Sequence, residues 1–245
     1  SILNAIEKYG FAGIDLDWEY PTSSVAGIAS SPEDKVNFTL LLQDLRDAFS
    51  NNKPDTILTI AVGASTMKYM ECEKVSKLLD YFHIMTYDYM DTKNNTATHH
   101  TNLYPSKYQP NISAHQAVDA FVRAGVEKEK IVIGGAFYGR ITTVSGTDLP
   151  IGKPGTSPIT QGISYTKLHN EYLNNPEYTY HFDEEARAPW LFGNSKFITF
   201  DSVISLQEKC QYVRSQNLSG FMFWELGSDE TFTLLDAIHA AIQND

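Results

Sequence analysis

Phe11-Ala12-Gly13-Ile14-Asp15-Leu16-Asp17-Trp18-Glu19-Tyr20-Pro21 alternates apolar and acidic side chains from Ile14 to Glu19. Side chains of a strand point to opposite faces in turn, so Asp15, Asp17 and Glu19 share one face, with neighbours about 6 to 7 Å apart. Acids are depleted in strands, and carboxylates aimed into a protein interior need a chemical reason. Three like charges in a row repel, and repulsion with partial burial pushes a proton onto at least one of them. A carboxyl that keeps its proton near neutral pH is a general acid. Glu19 stands last, at the carboxyl end of the strand, and is assigned that role. Two other readings compete: a solvated strand edge, and a divalent-cation site, because clustered carboxylates bind hard cations. No second Asp or Asn cluster of ligand spacing accompanies the triplet, and no metal or other cofactor is assigned.

Outward from this segment, short apolar runs alternate with amphipathic stretches, the rhythm of a parallel sheet covered by helices. Strands are expected at 13–17, 57–62, 83–87, 131–135 and 220–224, and helices at 2–9, 33–50, 70–79, 114–124, 202–216 and 232–243. The helix over 33–50 starts at Pro32 and carries Val36, Leu40, Leu41, Leu45 and Phe49 as its expected inward stripe. A long polar loop is expected over 91–113. Five strand and helix units in 245 residues, opening inside a helix, point to an α/β fold, a (β/α)8 TIM barrel represented here by about its last five units. The stretch 141–194 breaks the rhythm and is too long for an ordinary connection; it is expected to be a small inserted α+β subdomain. The expected domains are therefore 1–140 as barrel units, 141–194 as the insertion and 195–245 as the unit with the last strand and helix. A barrel open at two sheet edges predicts that these residues alone are unstable or aggregate.

Composition narrows the partners. Lys+Arg 19 against Asp+Glu 30 gives a formal net charge of -11, which repels phosphate backbones and argues against nucleic acid. No run approaches the roughly 18 apolar residues a spanning helix needs, so a water-soluble chain without a membrane partner is expected. Cys72 and Cys210 follow no metal-ligand spacing and are expected to be buried free thiols.

The acidic segment resembles the signature of glycoside hydrolase family 18, the chitinases, in which Asp-x-x-Asp-x-Asp-x-Glu ends the fourth barrel strand. Asp15, Asp17, Glu19 and Tyr20-Pro21 fit, while Ala12 stands where the family usually has its first Asp. Met85-Thr86-Tyr87-Asp88 resembles the family's sixth-strand motif, Tyr138-Gly139-Arg140 the segment after the seventh, and Met222-Phe223-Trp224-Glu225 the eighth. These matches occur in family order over nearly the whole chain, and the irregular stretch falls where many members carry an inserted α+β domain. The family's first three strands have no counterpart in this sequence.

The resemblance implies a retaining, substrate-assisted glycosidase, an exception to the usual pair of carboxylates about 5 Å apart. Glu19 then protonates the glycosidic oxygen, the substrate's own 2-acetamido carbonyl attacks the anomeric carbon, and Asp17 holds the acetamido N–H. Water opens the oxazolinium with Glu19 as base. Asp15 shares a proton with Asp17, so the three acids form one coupled unit. By resemblance Tyr87 donates to the acetamido oxygen, and Asp88 and Arg140 contact sugar hydroxyls or neighbouring acids; the bland alternatives are a core aromatic for Tyr87 and a structural ion pair for Asp88 and Arg140. Tyr20, Met85 and Tyr138 are placed along the cleft, Met85 with wall packing as its competing reading, and Trp224 as an indole floor for a sugar ring. Trp18, of opposite parity to Glu19, packs under the helices, and Tyr89 and Trp190 are further candidates to extend the cleft. His83, His99 and His100 have no part in this chemistry and are read as exposed. The implied substrate is chitin or a chitooligosaccharide, the implied location extracellular, and a monomer is expected. The competing functions are a chitooligosaccharide-binding lectin, which typically lacks the acid at position 19, and an endo-N-acetylglucosaminidase or peptidoglycan hydrolase sharing it.

Overall fold

The computed structural model describes residues 2–90, 92–146, 149–160 and 162–243. One sheet has the strand order β1 (Gly13–Asp17), β2 (Ile57–Gly63), β3 (Tyr81–Met85), β4 (Ile131–Ala136) and β10 (Gly220–Trp224). A second sheet has the order β6 (Ile163–Ser164), β5 (Tyr138–Thr143), β9 (Lys196–Thr199), β8 (Ala188–Gly193) and β7 (Thr179–Asp183). The helices are α1 (Ile2–Tyr9), α2 (Asp34–Asn52), α3 (Cys72–Ser76), α4 (Ala114–Arg123), α5 (Tyr165–Leu168), α6 (Val203–Ser215) and α7 (Thr233–Gln243). The chain divides into two compact units: Ser1–Met85 with Ala117–Val132 and Asn217–Gly220, and Thr86–Gln116 with Ile133–Gln216 and Phe221–Asp245.

In the first unit, β1, β2 and β3 run parallel, with Gly13↔Ile57 to Asp17↔Ala61 and Thr59↔Tyr81 to Gly63↔Met85 in register. The alternation of β2 sorts its side chains: Leu58, Ile60 and Val62 are buried with Phe82 and Ile84 of β3. Each large apolar side chain buried in this way stabilises by about 1.5–3 kcal/mol. Phe82 meets Phe121 edge-on with ring centroids 6.2 Å apart, and Trp18 meets Phe38 edge-on at 5.5 Å. Trp18 therefore packs beneath α2, as its parity predicts.

Three local expectations need correction. The inward stripe of α2 is Phe38, Leu42 and Phe49, whereas Val36, Leu40 and Leu41 are exposed. The helix offers two apolar stripes, both with helical spacing, and only packing selects between them. The helix expected over 70–79 shrinks to a short 3-10 turn, Met67–Tyr69, followed by the five residues of α3. Strand β3 spans Tyr81–Met85 rather than 83–87, which leaves Tyr87 beyond its end.

In the second unit, β5 pairs with β9 from Arg140↔Thr199 to Thr143↔Lys196, and β7, β8 and β9 are antiparallel neighbours. This sheet opens at Tyr138 and closes at Thr199, so its strands extend past both ends of 141–194. Phe137, Leu168, Leu191, Ile198 and Phe200 form its core together with residues of α6 and α7. Phe223 stacks on Phe137 with centroids 4.1 Å apart and an 8° interplanar angle. Helix α6 begins with a reciprocal capping box between Ser202 and Ser205, which satisfies amides that would otherwise be orphaned at a helix start.

Among the described residues, the segment between β3 and α4 has no helix or extended strand, yet it is largely interior: Ala97, His99, His100 and Asn102 are fully buried. A buried loop must find partners for its backbone. Here Ala97 exchanges backbone hydrogen bonds with Gly152 and Lys153, Leu103 N–H donates to the Ala186 carbonyl, and Asn102 Nδ2 donates to the carbonyls of Tyr104 and Ile112. Cys72 and Cys210 are free and buried, as expected.

Candidate functional site

In the first unit the acidic segment is organised by the register of its neighbours. Thr59 stands opposite Asp15 on β2, and its hydroxyl donates to Asp15 Oδ1 at 2.5 Å. His83 of β3 is in register with Ala61, which is in register with Asp17. Ala61 is small, so the imidazole crosses β2 and places Nδ1 2.9 Å from Asp15 Oδ1. Burial raises the proton affinity of Asp15, but the His83 and Thr59 hydrogen bonds outweigh it and hold the carboxyl below its ordinary range. Asp17 moves the other way: burial first, then the charges of Glu19 and Asp15, lift it above the usual carboxylate range. The repulsion expected from the row is therefore felt at Asp17. Asp15 and Asp17 thus shift in opposite directions, and among the described residues it is Asp15 that Thr59 and His83 contact.

Glu19 lies two residues past the end of β1, so strand alternation orients Asp15 and Asp17 but does not extend to Glu19. The peptide bond from Glu19 to Tyr20 is cis. Tyr20 runs against Gly63 of β2: a Cβ at that position would come within 3.2 Å of the Tyr20 ring, and the absence of one makes room for it. Gly63 is in register with Met85 at the carboxyl end of β3.

The second unit holds the remaining candidates. Arg140 of β5 donates from Nε (2.9 Å) and Nη2 (2.6 Å) to Asp88 Oδ1, and from Nη1 to the Thr160 carbonyl (3.0 Å). Burial would raise Asp88, but His100 and Arg140 outweigh it and hold it at about 2. Asp88 has φ +62°, a left-handed conformation that side chains other than glycine adopt rarely. Arg140 lies over the Tyr138 ring at 5.3 Å, and Tyr138 meets Tyr87 edge-on at 6.1 Å. Burial, joined by the Asp88 charge, pushes the Tyr138 hydroxyl far above its ordinary range. Tyr87 Oη lies 3.9 Å from Met222 Sδ. Along β10, Phe221 and Phe223 pack on the core while Met222 and Trp224 take the opposite parity. Trp224 is 57% exposed, so this indole is not part of the core.

Other candidates are displaced from any open surface. Tyr89 is buried, and Trp190 is buried against His181 in a parallel stack at 3.9 Å; neither extends a cleft. The histidines also differ from expectation. His83 contacts Asp15, while His99 and His100 are fully buried. His99 Nε2 lies 3.0 Å from Asp183 Oδ2. His100 Nδ1 lies 3.8 Å from Asp88 Oδ1, and its burial lowers its proton affinity. His83 and Thr59 are the site neighbours that strand reading missed; the signal available was parity, since His83 shares that of Met85 and Thr59 stands two residues before Ala61. Among the described residues no group of three or more His, Cys, Asp or Glu side chains converges as a metal site, and no helix is long and apolar enough to cross a membrane.

Comparison with known proteins identifies the family. The family description "Glycosyl hydrolases family 18" matches residues 1–229. Chitinase A1 of Niallia circulans is 32% identical over 98% of this chain and 38% of its own length, and Chitotriosidase-1 of Mus musculus is 33% identical over 94% and 52%. The chain thus spans about half or less of the length of these relatives. A solved family 18 N-acetylglucosaminidase from Paenibacillus barengoltzii is 41% identical, with a TM-score of 0.93 over 98% of this chain and 74% of that one. Sequence, sheet order and likeness to solved structures lead to one assignment: the chain belongs to glycosyl hydrolases family 18 and has that family's TIM-barrel-like α/β fold.

Proposed function

We propose that the protein hydrolyses β-1,4 bonds between N-acetylglucosamine units of chitin or chitooligosaccharides, with retention and with the substrate's acetamido group as nucleophile. The observation that carries this reading is the asymmetry of the carboxylate row. Asp15 is held below its ordinary proton affinity by Thr59 and His83, while Asp17, partly buried and beside Glu19 and Asp15, gains affinity for a proton. Such a pair suits a mechanism in which Glu19 is general acid and then base, and Asp17 orients and balances the acetamido group, leaving no enzyme carboxylate as nucleophile. Tyr87 donates its hydroxyl to the acetamido oxygen, and Asp88 with Arg140 meets the sugar hydroxyls. Exposed Trp224 offers a flat apolar face to a pyranose, Tyr20 and Met85 are further proposed substrate contacts, and Tyr138, itself buried, supports Arg140 from beneath. The name of one relative, Chitinase A1 of Niallia circulans, supports this substrate class. In this reading the five strands β1, β2, β3, β4 and β10 are strands four to eight of the barrel, and the second sheet, which lies in the chain between β4 and β10, is the inserted α+β domain. The protein acts outside the cell, because its substrate is an insoluble polymer, and a monomer remains the expected state.

A second reading changes the product and keeps the chemistry. The 41% identical structure is named an N-acetylglucosaminidase, which favours release of single sugars from chain ends. Both readings, and the lectin alternative, are decided by incubating the protein and its Glu19→Gln variant with an N-acetylglucosamine hexamer, with a deacetylated hexamer as control. Turnover is expected to fall about 10²- to 10⁴-fold in the variant, and the deacetylated sugar should stay intact. Internal cuts support the chitinase reading, and single-sugar release the second one. Binding without cleavage by the unaltered protein would leave the lectin reading standing and overturn both.

A further inference from the structure

Asp201, just ahead of α6, and Lys209, two turns into it, form an ion pair that is completely buried. Lys209 Nζ donates to both carboxylate oxygens, at 2.9 and 2.7 Å, and to Thr101 Oγ1 at 2.6 Å. The carboxylate also accepts from the Ser205 hydroxyl (2.7 Å) and from the Ala136 amide at the end of β4 (2.9 Å). None of these groups carries a bond-making role in the proposed hydrolysis. A well-packed apolar pair would serve stability as well or better in such a place, so the arrangement calls for another explanation.

That explanation lies in Thr101. Its hydroxyl has one proton and two acceptors in reach, the Thr86 carbonyl at 3.0 Å and Asp201 Oδ2 at 3.1 Å. With Lys209, Ser205 and Ala136 already donating to the carboxylate, the proton is left for the Thr86 carbonyl. Without the ammonium, the uncompensated carboxylate takes the Thr101 proton and the Thr86 carbonyl loses its donor. Thr86 is the residue immediately before Tyr87 and Asp88. Its own hydroxyl donates to the Gly134 carbonyl (2.5 Å) and accepts from the Gly134 amide (2.8 Å), and the Tyr89 amide donates to the His100 carbonyl (3.0 Å). The left-handed backbone of Asp88 persists only where its surroundings over-determine it, and these bonds anchor the chain on both sides of it while Arg140 holds its carboxylate.

We propose that the Asp201–Lys209 pair, acting through Thr101, is a positioning device that sets the backbone of Thr86–Asp88 and thereby the placement of Tyr87 and Asp88. The catalytic part of this inference rests on the proposed hydrolysis; the conformational part does not. Thr101→Val breaks the link while leaving the ion pair in place, and is the variant least likely to unfold. Lys209→Met provides a second arm wherever it folds.

The test measures kcat and KM on the N-acetylglucosamine hexamer for the unaltered protein, Thr101→Val, Tyr87→Phe and the double variant, with hydrogen exchange of the Tyr89 amide followed in parallel. Thr101→Val is expected to keep a cooperative thermal transition, to lose about 10- to 100-fold in kcat with a smaller change in KM, and to exchange faster at Tyr89. In the Tyr87→Phe background the same substitution should cost little more, since residues that act as a unit are not additive. Unchanged kcat with unchanged Tyr89 exchange would overturn the proposal, as would a fully additive loss. If the unaltered protein cleaves nothing, the hydrolytic reading fails by itself, and Tyr89 exchange still decides whether the pair positions the segment.

Discussion

Asp17 and Asp88 are the same residue type, each near the carboxyl end of a strand of one sheet, yet their proton affinities move in opposite directions. Asp17 has acids for neighbours and is pushed up by burial and by Glu19 and Asp15. Asp88 has Arg140 bonded to one of its oxygens and His100 beside it, and is held at about 2 in spite of burial. Partial burial acts on both; the partner decides the sign. One acid is thus suited to take up a proton during a reaction, and the other to stay charged and fixed through it.

The comparison breaks hardest at Asp17. Asp17→Asn is expected to lower kcat on the N-acetylglucosamine hexamer about 100-fold, because the amide can no longer balance a developing positive charge. The same variant should be slightly more stable than the parent at neutral pH. The folded-state affinity of Asp17 is raised, so the charge it carries when ionised works against the fold. That penalty is absent below the unfolded carboxylate range, near pH 4, and grows as pH rises through the folded value. Asp17 is well exposed, so screening limits the gain to less than about 1 kcal/mol. Thermal melts at pH 4 and pH 7 should show the variant ahead only at the higher pH; an equal or lower midpoint at pH 7 would refute the assignment.

Arg140→Met tests the opposite acid. The affinity of Asp88 is depressed, so its contribution to stability is fully present above about pH 4 and is lost as pH falls toward 2. Removing Arg140 should lower the melting temperature at pH 6 by about 2–4 °C, which corresponds to roughly 1 kcal/mol once exposure is discounted. The difference should vanish near pH 2. A gap that stays constant across this range would show that Arg140 acts by packing on Tyr138 and not by charge.

The smallest expected effect is at His83. His83→Leu removes a donor from Asp15, whose affinity then rises, and the acid limb of kcat/KM should move up by less than about one pH unit. His83→Asn retains a donor and should restore most of the profile. An unchanged acid limb in the leucine variant would separate Asp15 from the activity.

Much of the fold was legible because its signals are local. The runs of β1, β2, β4 and β10, and the start of α6 near residue 202, lie close to where apolar patterning puts them. Asp15 and Asp17 were legible for the same reason, since side-chain parity on one strand needs no knowledge of neighbours, whereas Glu19 lies past the strand end, where parity no longer applies. The short α3 and the inward stripe of α2 were not, because several periodicities coexist in those segments and packing chose among them. The interior histidines were hidden as well. A polar segment such as Thr98–Asn102 reads as surface until the groups that satisfy it are known, and those groups lie as far along the chain as Asp183, Ala186 and Asp201.

By itself, then, the sequence determined the order of strands and helices, the row of acids and the residues that resemble a family signature, all of which depend on spacing within a few residues. Only the tertiary structure decided which acid's proton affinity rises and which falls, through Thr59 and His83 on the next strands of the sheet and Arg140 on another sheet. The physical reason is range: a side chain's direction is set by its own backbone, whereas its charge state is set by whatever the fold brings within a few ångströms of it.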